Sequence, residues 1–191
     1  MSDTTSCQQP VSELARLRDD LARYRQGGGL KWHEPSLWAI CDYRFRRWGD
    51  SVRWPFLRKL LKILAMVPYS VLRLLTGIDL PRGARIGPGL RIWHFGGVVV
   101  HADTVIGRNC TIRHEVTIGS RRGEHDVPVL GDDVDIGAGA KILGSIRIGD
   151  RVTIGANAVV LDDVPDDHLA VGVPARILSK RKPSTAAGSE S

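Results

Sequence analysis

His94 lies in the segment IWHFGG, directly ahead of Phe95 and the pair Gly96-Gly97. An imidazole is the side chain best suited to take and return a proton near neutral pH, so the segment points to a general base. The two glycines leave room for a ligand to approach the main chain. Asp79 lies fifteen residues upstream. If the chain winds in coils of about eighteen residues, both side chains fall on adjacent coils, where a carboxylate can orient an imidazole and stabilise its cation. On spacing alone, a His94 that only ties down a surface loop is an equal alternative. A second, dense polar set, Arg121, Arg122, Glu124, His125 and Asp126, occupies GSRRGEHDVP, on a protruding loop of the kind that favours binding residues. His114, in IRHEVTIG, is a binding residue or a rival base, and His101 occupies a comparable position; His33 and His168 have no supporting context. No set of His, Cys and Asp has metal-ligand spacing, so no metal is expected.

These residues are interruptions in a strict pattern. Aliphatic side chains recur every six residues at Ile86, Ile92 and Val98. After a two-residue slip they continue at Val100, Ile106, Ile112 and Ile118, and resume at Leu130, Ile136, Ile142, Ile148, Ile154 and Val160. Small or apolar residues accompany them four places on, as at Cys110, Val134, Ala140 and Ala158. A six-residue period is neither helical nor strand alternation; it predicts a β-solenoid with three hexads per coil and an aliphatic core. Glycine follows seven of these aliphatic residues, which suggests tight corners at positive φ. The slip falls at His94. The gap from Ile118 to Leu130 is twelve, so phase is kept while a loop protrudes at 120–127.

The 191 residues carry a formal net charge of +6, concentrated in residues 44–62, where seven Arg and Lys face only Asp50 and Trp48 and Trp54 intervene. A helical appendage packed on the solenoid or on a sister subunit accounts for this best. Attachment to a membrane surface is the alternative, since KILAMVPYSVLRLL is strongly apolar. No nucleic-acid motif accompanies the charge. Helices are expected over 11–26, 36–48 and 54–75, the last broken at Pro68. There is no run of eighteen apolar residues, no secretory pattern and no paired-cysteine framework among Cys7, Cys41 and Cys110, which suggests a cytoplasmic protein, with peripheral attachment at the inner membrane face as the alternative. The boundaries read as 1–30 for an N-terminal tail and helix, 31–78 for a helical region, 79–178 for the solenoid and 179–191 for a disordered tail.

The stretches GIDLPRGARIGPGLRIWHFGGVVV, VTIG, IGAGAKILGSIRIGDRVTIGANAVVLDDVP and VGVPARI resemble the bacterial serine acetyltransferases of the hexapeptide-repeat acyltransferase family. The resemblance covers roughly residues 78–178 and implies a left-handed parallel β-helix, a homotrimer, and acetyl-CoA as co-substrate. It implies that His94 deprotonates the acceptor hydroxyl, that Asp79 orients it, and that CoA lies in a groove between neighbouring solenoids. The matching groove positions are Gly119, Ala138 and Ala156, with Lys180, Arg181 and Lys182 as cations for the CoA phosphates. Departures from the family pattern bear on the acceptor. Trp93 replaces an acid that helps hold serine, Val127 replaces a second histidine, and the N-terminal helical region is short. His125, Arg121 or Arg122 would then bind acceptor or oxyanion. The terminal Gly-Ser-Glu-Ser lacks the Ile by which the family docks into cysteine synthase, so that complex is not expected. Serine stands first as acceptor. A sugar hydroxyl of a polysaccharide or glycolipid precursor stands second, favoured by the indole of Trp93, and a non-catalytic trimeric scaffold is the alternative of another class.

Overall fold

The aliphatic ladder does close into a solenoid. The computed structural model describes residues 12–26, 29 and 32–180. The expected disorder of residues 1–10 and the roles of Arg181 and Lys182 lie outside them. Three parallel sheets form the faces of a triangular prism. The first face stacks β1 (Ile78–Asp79), β4 (Val98–Val100), β7 (Thr117–Gly119), β10 (Lys141–Leu143) and β13 (Val159–Val160). The second stacks β2 (Arg85–Ile86), β5 (Val105–Ile106), β8 (Val129–Leu130) and β11 (Arg147–Ile148). The third stacks β3 (Arg91–Trp93), β6 (Thr111–Arg113), β9 (Asp135–Ile136), β12 (Thr153–Ile154) and β14 (His168–Val171), and β15 (Arg176–Ser179) closes it antiparallel. That last strand extends one residue past the expected boundary at 178.

All thirteen ladder positions are buried, at 3% exposure or less. Register shows how the interruptions are absorbed. Ile142 pairs with Val160 across an ordinary eighteen-residue coil. Ile86 pairs with Ile106 and Ile92 with Ile112, twenty apart, so the slip near His94 adds two residues to one coil. Ile106 pairs with Leu130 and Ile112 with Ile136, twenty-four apart, so the loop at 120–127 adds one hexad without disturbing phase.

The glycines after the aliphatic residues do not turn the corners. Positive φ occurs instead at the third residue after them, as at Asn109, Glu115, Asp133, Arg151 and Asn157. Except at Gly119, the ladder glycines are required for close stacking: a Cβ on Gly87 would lie 2.5 Å from the Gly107 carbonyl oxygen, and one on Gly137 would lie 2.5 Å from the Ala156 nitrogen.

Four helices precede the prism: α1 (Glu13–Arg25), α2 (Pro35–Asp50), α3 (Pro55–Leu64) and α4 (Met66–Thr76). The break between the last two falls at Ala65 rather than Pro68. Pro68 sits in the first turn of α4, where a missing N–H leaves no hydrogen bond unmade. The open end of a solenoid exposes unpaired strand groups, and α1 and α2 cover them with polar side chains. Asp20 accepts from Leu90 N–H at 2.8 Å and Tyr24 bonds both Ile92 N–H and C=O. The Tyr43 hydroxyl donates to Ala84 C=O, Arg44 donates to Ile86 and Gly87 C=O, and Arg46 to Leu80 C=O. Arg44 and Asp20, both fully buried, pair at 2.7 Å.

Candidate active site

The corner between the third and first faces carries His94. The other corners on this edge place one left-handed residue three positions after the aliphatic, at Glu115, Gly139 and Asn157; here His94 (φ 66°), Gly96 (109°) and Gly97 (65°) are all left-handed. The two added residues make this bulged corner. A Cβ on Gly77 would lie 2.9 Å from Gly97 N, so coil packing leaves no room for a side chain there. A non-glycine residue held at positive φ is strained, and such residues cluster at functional sites. The His94 imidazole is exposed.

One coil on, the same corner presents His114. The two imidazoles meet edge to face with centroids 5.8 Å apart. His114 Nδ1 is buried and makes no hydrogen bond, an uncommon state for a polar atom. Glu115 N–H donates to Gly96 C=O, Gly139 N–H to His114 C=O, and Asn157 N–H to Ala138 C=O. His94, His114, Ala138 and Ala156 therefore line one edge of the prism. Trp93 lies beside them, 41% exposed, with the Arg91 guanidinium 3.8 Å from its ring centroid.

Asp79 does not make the contact expected of it. The Tyr69 hydroxyl donates to it at 2.5 Å and Arg73 pairs with it at 3.1 Å, while no hydrogen bond joins it to His94. The reason is that α4 runs directly into β1 through Gly77 and delivers both side chains onto the carboxylate. Burial and the Asp79 carboxylate both push the Tyr69 phenol above its usual range, so it stays a donor at neutral pH. Spacing along the chain points to neither Tyr69 nor Arg73; both lie in a stretch that reads only as an apolar helix. Asp79 nevertheless shares the first face with the site. Asp79 pairs in register with Val99, Val99 with Thr117, and Thr117 with Lys141. A groove of about 410 Å³ runs past Tyr69, Asp79, His101, Thr117, Gly119 and Ser120. Gly119 thus belongs with this groove and not with Ala138 and Ala156.

The loop at 120–127 stands on the opposite edge of the first face. Asp126 fastens it by accepting from Arg122 N–H at 3.2 Å and from Ser145 N–H. Arg121 and Arg122 are exposed. His125 bonds Asp103 at 2.8 Å, a partner that only coil stacking reveals. That bond raises the His125 pKa above 6.5 and lowers that of Asp103. The stabilisation from a raised histidine is fully present below its ordinary value and is lost as pH rises through the raised one. In an NMR titration, His125 should titrate above 6.5, and Asp103→Asn should return its midpoint to about that value. An unchanged midpoint in the variant refutes the pairing.

Lys180 is not brought to either edge. Its backbone N–H donates to Asp167 C=O at 3.3 Å and its ammonium to Arg151 C=O, which places it on the third edge of the prism. Among the described residues no group of three His, Cys, Asp or Glu could hold a metal ion.

A coiled transferase scaffold with an exposed histidine at a bulged corner defines the class, and a family model supports it: bacterial transferase hexapeptide (six repeats) matches residues 128–162. Among curated proteins, a serine acetyltransferase of Helicobacter pylori is 43% identical over 76% of this chain and 82% of its own length. One from Synechococcus elongatus is 40% identical over 75% of this chain, which spans only 57% of that relative. A solved serine acetyltransferase in complex with CoA superposes with a TM-score of 0.73 at 32% identity, covering 87% of this chain and 70% of that one. A Neisseria gonorrhoeae serine acetyltransferase in complex with serine gives 0.70 at 32% identity, covering 87% and 69%. The chain belongs to the serine acetyltransferase family.

Proposed function

We propose that this chain transfers the acetyl group of acetyl-CoA to a hydroxyl, with L-serine as the first acceptor and His94 as general base. The observation that carries this reading is the exposed imidazole at a strained, glycine-flanked corner in a chain of this family. His94 removes the hydroxyl proton as the oxygen attacks the thioester carbonyl. The tetrahedral intermediate collapses with cleavage of the C–S bond, and the imidazolium returns the proton to the CoA thiolate. His114, with its unpartnered Nδ1, is positioned to bind the acceptor or the oxyanion. Trp93, Arg121, Arg122 and His125 flank the same face as further acceptor contacts, while Asp79, held by Tyr69 and Arg73, is given no step in the proton transfer. Ala138 and Ala156 give the pantetheine arm a low wall along the edge that holds His94, and Gly119 does so at the neighbouring groove. The solved relative with CoA supports this cofactor reading. A homotrimer places each such edge against a neighbouring prism, and acetyl-CoA as co-substrate puts the reaction in the cytoplasm.

A sugar hydroxyl is the second acceptor reading, because Trp93 offers an indole, still 41% exposed, where the family pattern has an acid. An acceptor screen decides between them: thiol release from acetyl-CoA is followed with serine, homoserine and nucleotide sugars, and the products are weighed. Acetylated serine supports the first reading and an acetylated sugar the second. No turnover and no CoA binding leaves a non-catalytic scaffold.

A further inference from the structure

We propose that the outer face of α3 and α4 docks on the surface of an anionic lipid bilayer. The inner side of this hairpin is anchored. Ala65 is 2% exposed, the Arg46 guanidinium lies 4.1 Å from the Tyr69 ring centroid, and Lys62 pairs with Asp50 at 3.2 Å. The outer side is exposed. No residue of α3 is buried, and only Thr76 of α4 is. Phe56 is 88% exposed, Trp54 76%, Leu64 60%, Val67 68% and Leu74 86%. An apolar surface this continuous is a docking face rather than ordinary surface.

Charge identifies the occupant. Residues 51–78 contain no Asp or Glu. Lys62 and Arg73 are neutralised by Asp50 and Asp79, whereas Arg53, Arg58 and Lys59 have no ion-pair partner among the described residues. A second copy laid on this face would bring like charges together, which is costly. An anionic lipid surface attracts the same cations while its acyl boundary accepts the apolar side chains, and exposed Trp54 suits the headgroup level. Neither helix is long and apolar enough to cross a membrane, so the hairpin lies in the interface plane. Tyr69 and Arg73 reach from α4 to Asp79, so docking would set the groove beside Asp79 close to the bilayer.

The test is cosedimentation of the intact oligomer with vesicles of phosphatidylcholine alone or with about one-third phosphatidylglycerol. At about fivefold for each Lys or Arg brought to an anionic surface, the three free cations predict binding on the order of a hundredfold tighter to the anionic vesicles at low salt, with the preference shrinking at high salt. Phe56→Ser/Leu60→Ser/Ile63→Ser should abolish binding without lowering the melting temperature, and Arg58→Gln/Lys59→Gln should remove most of the anionic preference. Equal or absent binding to the two vesicle types overturns the proposal. So does a lipid-free triple variant that sediments as a smaller assembly, which would assign the face to a second copy. Acetyl transfer to a soluble acceptor should be unchanged in both variants, so failure here is distinct from failure of the proposed activity.

Discussion

Replacing His94 with Ala should lower turnover about 10²–10⁴-fold, the usual contribution of a general base. The Michaelis constant for acetyl-CoA should change little, because the loss falls on the proton transfer and not on uniform binding. The corner should survive. Its shape is set by Gly77 packing against Gly97 and by the Glu115 N–H bond to Gly96, neither of which involves the imidazole. A matching melting temperature therefore separates loss of chemistry from loss of fold. His114→Ala is the companion variant. Unchanged turnover in His94→Ala together with collapse in His114→Ala would transfer the role of base to His114, whose ring lies 5.8 Å away.

Replacing Asp20 with Ala should produce the largest loss of stability, about 3–5 kcal/mol. The variant leaves the Arg44 guanidinium buried without its principal counter-charge and removes the acceptor for Leu90 N–H at the solenoid's open end. Glu13, 3.3 Å away at the rim, offers only a partial replacement. At fixed protein concentration this corresponds to a fall in melting temperature of roughly 6–20 °C for a chain of this size. Asp20→Leu/Arg44→Met should cost less than the sum of the single variants, since no charge is then stranded. A single variant that melts within a degree or so of the parent would show that the cap does not hold the solenoid closed.

The solenoid was legible because its cause is local and periodic. Each aliphatic residue must stack on its counterpart one coil away, so the period appears directly along the chain, and the slips at His94 and at 120–127 stand out as additions of two and six residues. The role of the glycines was less legible. Positive φ and absence of a Cβ are satisfied by the same residue type, and only the stacked carbonyl of Gly107 above Gly87 shows which constraint applies. The site was legible in part for a similar reason. His94 and the small residues Ala138 and Ala156 recur in phase, so they fall on one edge once the coils stack.

The amino-acid sequence by itself determined the coil, its buried ladder, the place of His94 at an irregular corner and the likeness to serine acetyltransferases, because each of these is carried by residue type and spacing along the chain. Tertiary structure alone decided the partners. Tyr69 and Arg73 hold Asp79, Asp103 holds His125, and Lys180 is carried to the third edge of the prism. These contacts depend on where helices dock and how far coils rotate, and no local period encodes either. The same holds for the apolar outer face of α3 and α4, which could have been buried had the hairpin docked on its other side.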